Sequence, residues 1–273
     1  MIKPIEKVKE RIVKMYMNSR ATIKKIFCKG VELVVTGIVF AVIASLLTTA
    51  IIEKRDAEQK TKTQLENLSN VYIGCNKQWT DEHFGAPQFT GQKDEYLLCA
   101  YVSEFYVLQM VFDKAEAAQA YLITSLKNPG GIKLQMDDAT LRLDEDYTLG
   151  EFSFYDFPES PHSVYGFVSN GNGRALYSES YYFMGGGNYY EYCIAFLDFG
   201  QLSGGEWPHF DIVSSDIDDE VNANMNLGVQ IITDRKNSYP NSYGVYNLDI
   251  DVYELLFTYD WFNSQQLRNK LNY

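Results

Sequence analysis

LVVTGIVFAVIASLLTTAII, from Leu33 to Ile52, is the stretch that decides how this chain is read. It carries no charge, and its polar side chains are Thr36, Ser45, Thr48 and Thr49. Twenty helical residues rise about 30 Å, the thickness of a bilayer's hydrocarbon core. Ser and Thr are tolerated there because their hydroxyls bond back to carbonyls of the preceding turn. A secretory signal peptide has a shorter apolar region, roughly 7–15 residues, and a small-residue cleavage site. This segment lies about thirty residues in, and the charged run Glu53, Lys54, Arg55 and Asp56 follows it. A buried core helix of that length carries a polar stripe, and this one has none. The sequence therefore predicts a transmembrane helix over residues 31–52.

The flanks give that helix a direction. Residues 1–30 hold nine basic residues (Lys3, Lys7, Lys9, Arg11, Lys14, Arg20, Lys24, Lys25 and Lys29) against Glu6 and Glu10, a net charge of +7. The whole chain of 273 residues is at −12, so residues 31–273 carry −19. Basic residues close to a span stay on the cytoplasmic side. The N-terminus is therefore expected in the cytoplasm of a bacterium, with the chain crossing the inner membrane once. The large C-terminal part is expected in the periplasm or outside the cell. Apolar positions at Ile5, Val8, Ile12, Met15, Tyr16, Ile23 and Phe27 among the lysines suit an amphipathic helix against anionic headgroups. The alternative is a basic topogenic tail without order.

After the span, residues 53–69 are polar, with no Gly or Pro, and predict a solvated helical stalk. Ala57, Leu65 and Leu68 are too sparse for a coiled coil. About 220 residues follow the span, enough for one sizeable core or two small ones. With twenty-one Tyr and sixteen Phe in the chain, either a β-rich core or an aromatic surface for glycan or peptide is implied. The strong negative charge argues against nucleic acid and against docking on anionic lipid.

From Asn70, the run NVYIGCNKQWTDEHFGAP reads as a short element, a turn at Gly74 and a helix over about 77–83. Gly85 suits the left-handed position that ends it, and Pro87 prevents its continuation. Tyr96–Tyr101, Phe105–Phe112 and Ala118–Ser125 are β-branched and aromatic, with short polar breaks between, as in an antiparallel meander. Asn128–Gly131 is a loop, and whether it divides the domain into two subdomains near 128–131 stays open. Beyond it, Phe152–Phe157, Val164–Ser169, Ala175–Phe183 and Tyr189–Phe199 read as strands. Gly171-Asn172-Gly173 reads as a hairpin turn, and Gly185–Gly187 as another. From Asp249 a strand or loop and a short helix over about 263–271 complete an α+β domain, mainly antiparallel sheet, over residues 70–273.

Ile73-Gly74, Trp79 and Phe84-Gly85-Ala86-Pro87, followed at once by the strands to Ser125, resemble the repeat unit of small periplasmic α+β domains. These are the domains of the β-lactamase-inhibitor-protein and outer-membrane-assembly-lipoprotein type, and the resemblance covers about fifty residues. The order of elements is also similar to that of uncharacterised bacterial single-pass membrane proteins with a short amino-terminal anchor. That second likeness implies a recurring Pro240–Gly244 (PNSYG). Neither implies an activity.

Cys28 is expected reduced on the cytoplasmic side. Cys75, Cys99 and Cys193 face the oxidising side, where three thiols form at most one intramolecular bridge. Cys75 and Cys99 are the nearest pair in sequence, while Cys99 and Cys193 both sit in strand-like runs and suit core thiols. No Cys/His spacing suggests zinc.

Catalytic signals are sparse. His83, His162 and His209 stand in no motif, and GxSxG, HExxH and P-loop patterns are missing. Asp216, Asp218, Asp219 and Glu220 with Asn222 form the one candidate calcium cluster. An EF-hand loop starting at Asp216 needs Gly and Glu where the chain has Val221 and Leu227, so a solvated acidic loop is the better reading. Asp144, Glu145 and Asp146 read the same way. Glu104 and Glu191 are a formal glycosidase pair whose separation the sequence leaves open. No cofactor is implied.

The reading is a membrane-anchored protein that binds, senses or scaffolds a protein partner or envelope component. Trp79, Phe84, Tyr181, Tyr182, Trp207 and Trp261 are the aromatic candidates for its contact surface, each with core packing as the alternative. A second reading is a membrane-perturbing effector that self-associates through Thr36, Gly37, Ala41 and Ala44, small residues near one helix face. A third is an enzyme acting on cell-wall glycan.

Overall fold

A computed structural model describes residues 3–127, 131–134, 147–157, 161, 163–169, 174–182, 190–197, 221–222, 234–251, 253–258, 266 and 269–270. Its described residues fall into two units, Met1–Lys60 and Thr61–Tyr273.

The first unit is helix. Helix α1 (Lys3–Leu68) runs unbroken for 66 residues, so the basic segment, the apolar stretch and the polar stalk are helical alike. Within the apolar stretch the side chains of 42–49, 51 and 52 are described, and all are exposed. Leu46 is 65% exposed and Leu47 59%, values a water-soluble core helix does not show. Thr48 Oγ1 donates to Ala44 O at 2.8 Å and Thr49 Oγ1 to Ser45 O at 3.0 Å, the back-bonding by which hydroxyls satisfy themselves on a helix. Among the described residues no helix is long and apolar enough to cross a membrane.

The second unit is α+β, built on one antiparallel sheet. It takes in the last turns of α1, earlier than the expected start at residue 70. Leu65 and Leu68 pack into its core, and Ser103 Oγ donates to Gln64 Oε1 at 3.1 Å. The polar stalk thus ends as a docked helix. After α2 (Lys77–Phe84), four strands follow as a meander: β1 (Phe89–Lys93), β2 (Tyr96–Val102), β3 (Tyr106–Phe112) and β4 (Ala118–Ser125). Strands β5 (Ser163–Ser169), β6 (Arg174–Tyr182) and β7 (Tyr190–Leu197) form a second meander. A two-residue strand β8 (Val221–Asn222) extends it at the edge. The sheet order is β1-β2-β3-β4-β9-β7-β6-β5-β8, with β9 (Ser242–Asn247) between the two meanders. The sheet therefore runs on across the candidate subdivision at 128–131.

Strand β9 went unread in the sequence because PNSYG has the residues of a turn. Each of those residues serves the junction instead. Pro240 O accepts from Gly150 N at 2.9 Å. Asn241 lays its amide along β7 like a strand residue, accepting from Leu197 N at 2.9 Å and donating to Leu197 O at 2.8 Å. Ser242 Oγ meets Thr124 Oγ1 at 2.9 Å, and the Tyr243 ring packs edge-on against Tyr121. Gly244 pairs with Leu122 on one side and Cys193 on the other. A Cβ there would lie 2.5 Å from Tyr121 O, so only glycine fits between these strands.

Alternation along the strands sorts the core into two layers. On one face Cys99, Leu108, Met110, Phe112, Tyr121, Ile123, Tyr177, Tyr181, Tyr243 and Val245 pack beneath α2, the end of α1 and segment 147–157. On the other, Leu98, Ala100, Val107, Val111, Ala120, Leu122, Cys193 and Ala195 pack against Ile250, Leu255 and Leu256. The last two belong to a π-helical turn, Tyr253–Thr258. Both faces are covered at the centre, which is why every residue of β3 is buried.

Two expectations change here. Phe152–Phe157 is a chain of turns, not a strand. Asp156 Oδ2 accepts from Ser153 N at 2.9 Å and from Ser153 Oγ at 2.8 Å, folding the segment on itself. Its phenylalanines roof the sheet, with Phe154 edge-on to Tyr177 at 5.0 Å and Phe157 tilted on Tyr181 at 4.5 Å. Cys75, Cys99 and Cys193 are all free and buried, so the Cys75–Cys99 bridge is not made. Cys75 Sγ instead faces Thr80 Oγ1 at 3.8 Å, inside the first turn of α2.

Candidate functional site

An open groove of about 750 Å³ lies where the chain passes from α1 to α2. Segment 69–73 and α2 form its wall, and β4, β9 and β7 form its floor. The floor residues Tyr121, Val245 and Tyr192 are register partners across the three strands, and Tyr190 stands two residues along β7 on the same face. Tyr72, Trp79 and His83 supply the rings of the wall, and Ser69, Asn70, Val71 and Ile73 complete it. Among the described residues no Asp, Glu, Lys or Arg lines it.

The wall is held rigidly. Gly74 (φ +91°) turns the chain and donates its N–H to Ala118 O at 2.7 Å. Ala118 N returns a bond to Cys75 O at 2.9 Å, and Lys77 N donates to Glu116 O at 2.9 Å. Asn76 caps α2, its Oδ1 accepting from Trp79 N at 3.1 Å. Asp81 then clamps the helix to the sheet, receiving Lys77 Nζ at 2.5 Å and the Tyr101 hydroxyl at 2.7 Å. That hydroxyl's pKa is raised, by burial first and by Asp81 next. Gly85 (φ +81°) ends the helix as expected, with its N–H on Asp81 O at 2.9 Å.

Four residues apart, Trp79 and His83 share one face of α2. Their rings stack at 4.3 Å with 26° between planes, and His83 Nδ1 lies 2.8 Å from Trp79 O. Tyr72 stands 6.5 Å from Trp79 on the incoming strand of chain and is 60% exposed. The two rings are inclined at 55° and offer separate faces for stacking.

A second polar cluster on the same face of the sheet is closed. Tyr177, Glu179 and Tyr181 alternate along β6, and Glu179 is 0% exposed. The Tyr177 hydroxyl donates to Glu179 Oε1 at 2.6 Å and the Tyr181 hydroxyl to Oε2. Arg235 grips both oxygens, Nε to Oε1 at 2.6 Å and Nη2 to Oε2 at 3.0 Å, and Nη2 also donates to Phe154 O at 2.9 Å. Burial works against the guanidinium's charge, but Glu179 more than offsets it and the pKa is raised. Burial, then Glu179, pushes both phenols well above their usual value. A buried charge pair whose carboxylate oxygens each accept two bonds is what holds such charges in a core.

The sequence candidates separate accordingly. Trp79 lines the groove. Phe84 is partly buried, packing on Tyr101 and Tyr106 and edge-on to Trp79, and does not line the groove among the described residues. Tyr181 belongs to the closed cluster. Tyr182 is placed on β6, while its side chain, Trp207, Trp261 and the acidic cluster Asp216, Asp218, Asp219 and Glu220 lie outside the described residues. So do Asp144, Glu145, Asp146, His162 and His209. Among the described residues no His, Cys, Asp and Glu cluster is placed to hold a metal ion.

Glu104 and Glu191 are not brought together. Glu104 is in the β2–β3 turn, beyond the pair Val102 and Val107, which aligns through β4 and β9 with Ala195. Glu191 is four residues from Ala195, about 13 Å along the strand, and on a strand three away from β3. Its Oε2 accepts from the Tyr246 hydroxyl at 2.5 Å instead.

Tyr72, Tyr190 and Tyr192 were missed in the sequence. A tyrosine count of twenty-one hides three, and the groove exists only because segment 69–73 lies over strands far along the chain, the nearest of them Ala118–Ser125. Comparison of the chain with family models, curated proteins and solved structures finds no significant match.

Proposed function

We propose that the protein is a single-pass inner-membrane protein, N-terminus in the cytoplasm, whose exported domain binds an envelope component through the groove beside Trp79. The anchor rests on the uncharged stretch Leu33–Ile52 and the charge step from +7 to −19 across it. Exposed Val42, Ile43, Leu46, Leu47, Ile51 and Ile52 give that stretch a surface that suits lipid or another apolar helix. The free thiols agree with export because they are sealed. Burial raises the Cys99 pKa to about 11 and that of Cys193 to about 12, which leaves almost no reactive thiolate.

The observation that carries binding is the chemistry of the groove. It joins aromatic rings with neutral polar side chains, and among the described residues no Asp, Glu, Lys, Arg or Cys lines it, His83 being its one imidazole. A binding module needs those features.

The test is co-sedimentation of the full chain with isolated cell-envelope polymer, followed by measurement of polymer length. Binding with the polymer intact supports the reading. Shortened polymer, with the activity lost on replacing one carboxylate, would put the enzyme in its place. Protease added to intact spheroplasts should digest residues beyond 60 and spare the basic N-terminus; the reverse pattern would refute the orientation.

A further inference from the structure

The groove's walls also narrow the class of its ligand. Resting on the reading of the groove as a binding site, we propose that it takes a neutral oligosaccharide, stacked on Tyr72 and Trp79.

Charge comes first. Residues 31–273 carry −19, which disfavours anionic ligands throughout the domain. Among the described residues no carboxylate in the groove waits for a cation, and no Lys or Arg for an anion. What remains is a neutral ligand.

Backbone chemistry then separates sugar from peptide. Extended peptides are commonly captured by adding a strand to a free sheet edge. The floor offers none: β4 is paired by β3 and β9, β9 by β4 and β7, and β7 by β9 and β6. The floor strands therefore meet a ligand through their side chains.

Those side chains match a pyranose. Its C–H face is weakly positive and suits the negative face of an aromatic ring, while its hydroxyl rim exchanges hydrogen bonds with neutral groups. Tyr72 and Trp79 supply the faces. Ser69, Asn70, Tyr190 and Tyr192 supply hydroxyl and amide groups around them. Ser69 Oγ and Asn70 Nδ2 both donate to Glu66 O, at 2.7 and 2.9 Å, which fixes the rim. At about 750 Å³ the groove falls within the ~300–1,000 Å³ of ordinary ligand sites and has room for a short chain of sugar rings.

The experiment is calorimetric titration of the full chain in a phosphocholine detergent, which carries no sugar of its own. The probes are chitotetraose, cellotetraose and an uncharged Gly/Ser/Asn tetrapeptide. Saturable binding of either sugar is expected. Tyr72→Ala should weaken it about tenfold, the size of one aromatic contact, with the melting temperature unchanged. Trp79→Phe, which keeps a ring, should weaken it less.

Binding of the peptide alone, still dependent on Tyr72, would overturn the sugar class and leave the groove as the site. Sugar binding that ignores both variants would overturn the location. Failure of all three probes to bind overturns the sugar proposal, and the polymer co-sedimentation then decides the groove reading separately.

Discussion

The Tyr177–Glu179–Tyr181–Arg235 cluster and the groove beside Trp79 lie on the same face of one sheet, and both are built largely from tyrosine. They differ in what serves their polar groups. In the cluster each Glu179 oxygen has two donors, and Phe154 and Phe157 roof the rings. In the groove Tyr72 is 60% exposed and Tyr190 and Tyr192 are half-buried, while Tyr121 on the floor is buried. The same residue type therefore makes a core in one place and a contact surface in the other. The difference lies in the roof: segment 147–157 covers β6, whereas segment 69–73 forms only one wall over β7 and β9.

Breaking the closed side should have the largest effect. Glu179→Gln leaves a buried guanidinium without its counter-charge and should cost about 3–5 kcal/mol in urea unfolding. Replacing Glu179 and Arg235 together by apolar residues should recover much of that loss. If Glu179→Gln unfolds like the wild type, the cluster is not the closed core described here.

Gly244→Ala ranks next. It forces Cβ against the Tyr121 carbonyl between β4 and β7, at an expected cost of about 2–3 kcal/mol. Because Tyr121 and Val245 are groove floor, this variant should also weaken ligand binding, linking the two regions through β9.

Alkali should probe the closed side next. Tyr177 and Tyr181 have pKa values raised above 10.0 by burial, and Cys193 is raised from 9.0 to about 12. A group with a raised folded-state pKa gives up stability as pH climbs from its unfolded to its folded value. The urea midpoint should therefore fall steadily from about pH 9 toward 12, with tyrosinate absorbance from the buried phenols appearing only on unfolding. A flat midpoint across that window would contradict their burial. At pH 8 a maleimide should label none of Cys75, Cys99 and Cys193 until the chain is denatured, since all three are buried.

The smallest expected change in stability is at Tyr72. Tyr72→Ala removes an exposed ring and should shift unfolding by less than about 0.5 kcal/mol. Its effect belongs to binding.

The two meanders were legible in the sequence because their strands are consecutive and their turns short. Tyr96–Tyr101 and Ala118–Ser125 declare themselves by β-branched and aromatic runs, and β3 is displaced only by the entry of Phe105 into a turn. Helix α2 was legible from Gly85 and Pro87. What joins the meanders was not. Strand β9 begins in PNSYG, where Asn and Gly are demanded by tertiary contacts with Leu197 and Tyr121, and local pattern reads those residues as a turn. For the same reason Phe152–Phe157 passed for a strand, its apolar residues being spent on roofing Tyr177 and Tyr181. Of the groove, Trp79 alone was foreseen. Tyr190 and Tyr192 became groove residues only when β9 set β7 beside β4.

Hydrogen exchange of the full chain in detergent, with and without isolated envelope polymer, tests the contrast most directly. The account predicts slowed exchange in 69–73 and 77–84 when the polymer is present, and no change across 177–181 or 234–238. Slowing confined to 177–181 and 234–238, with the groove wall unaffected, would contradict it.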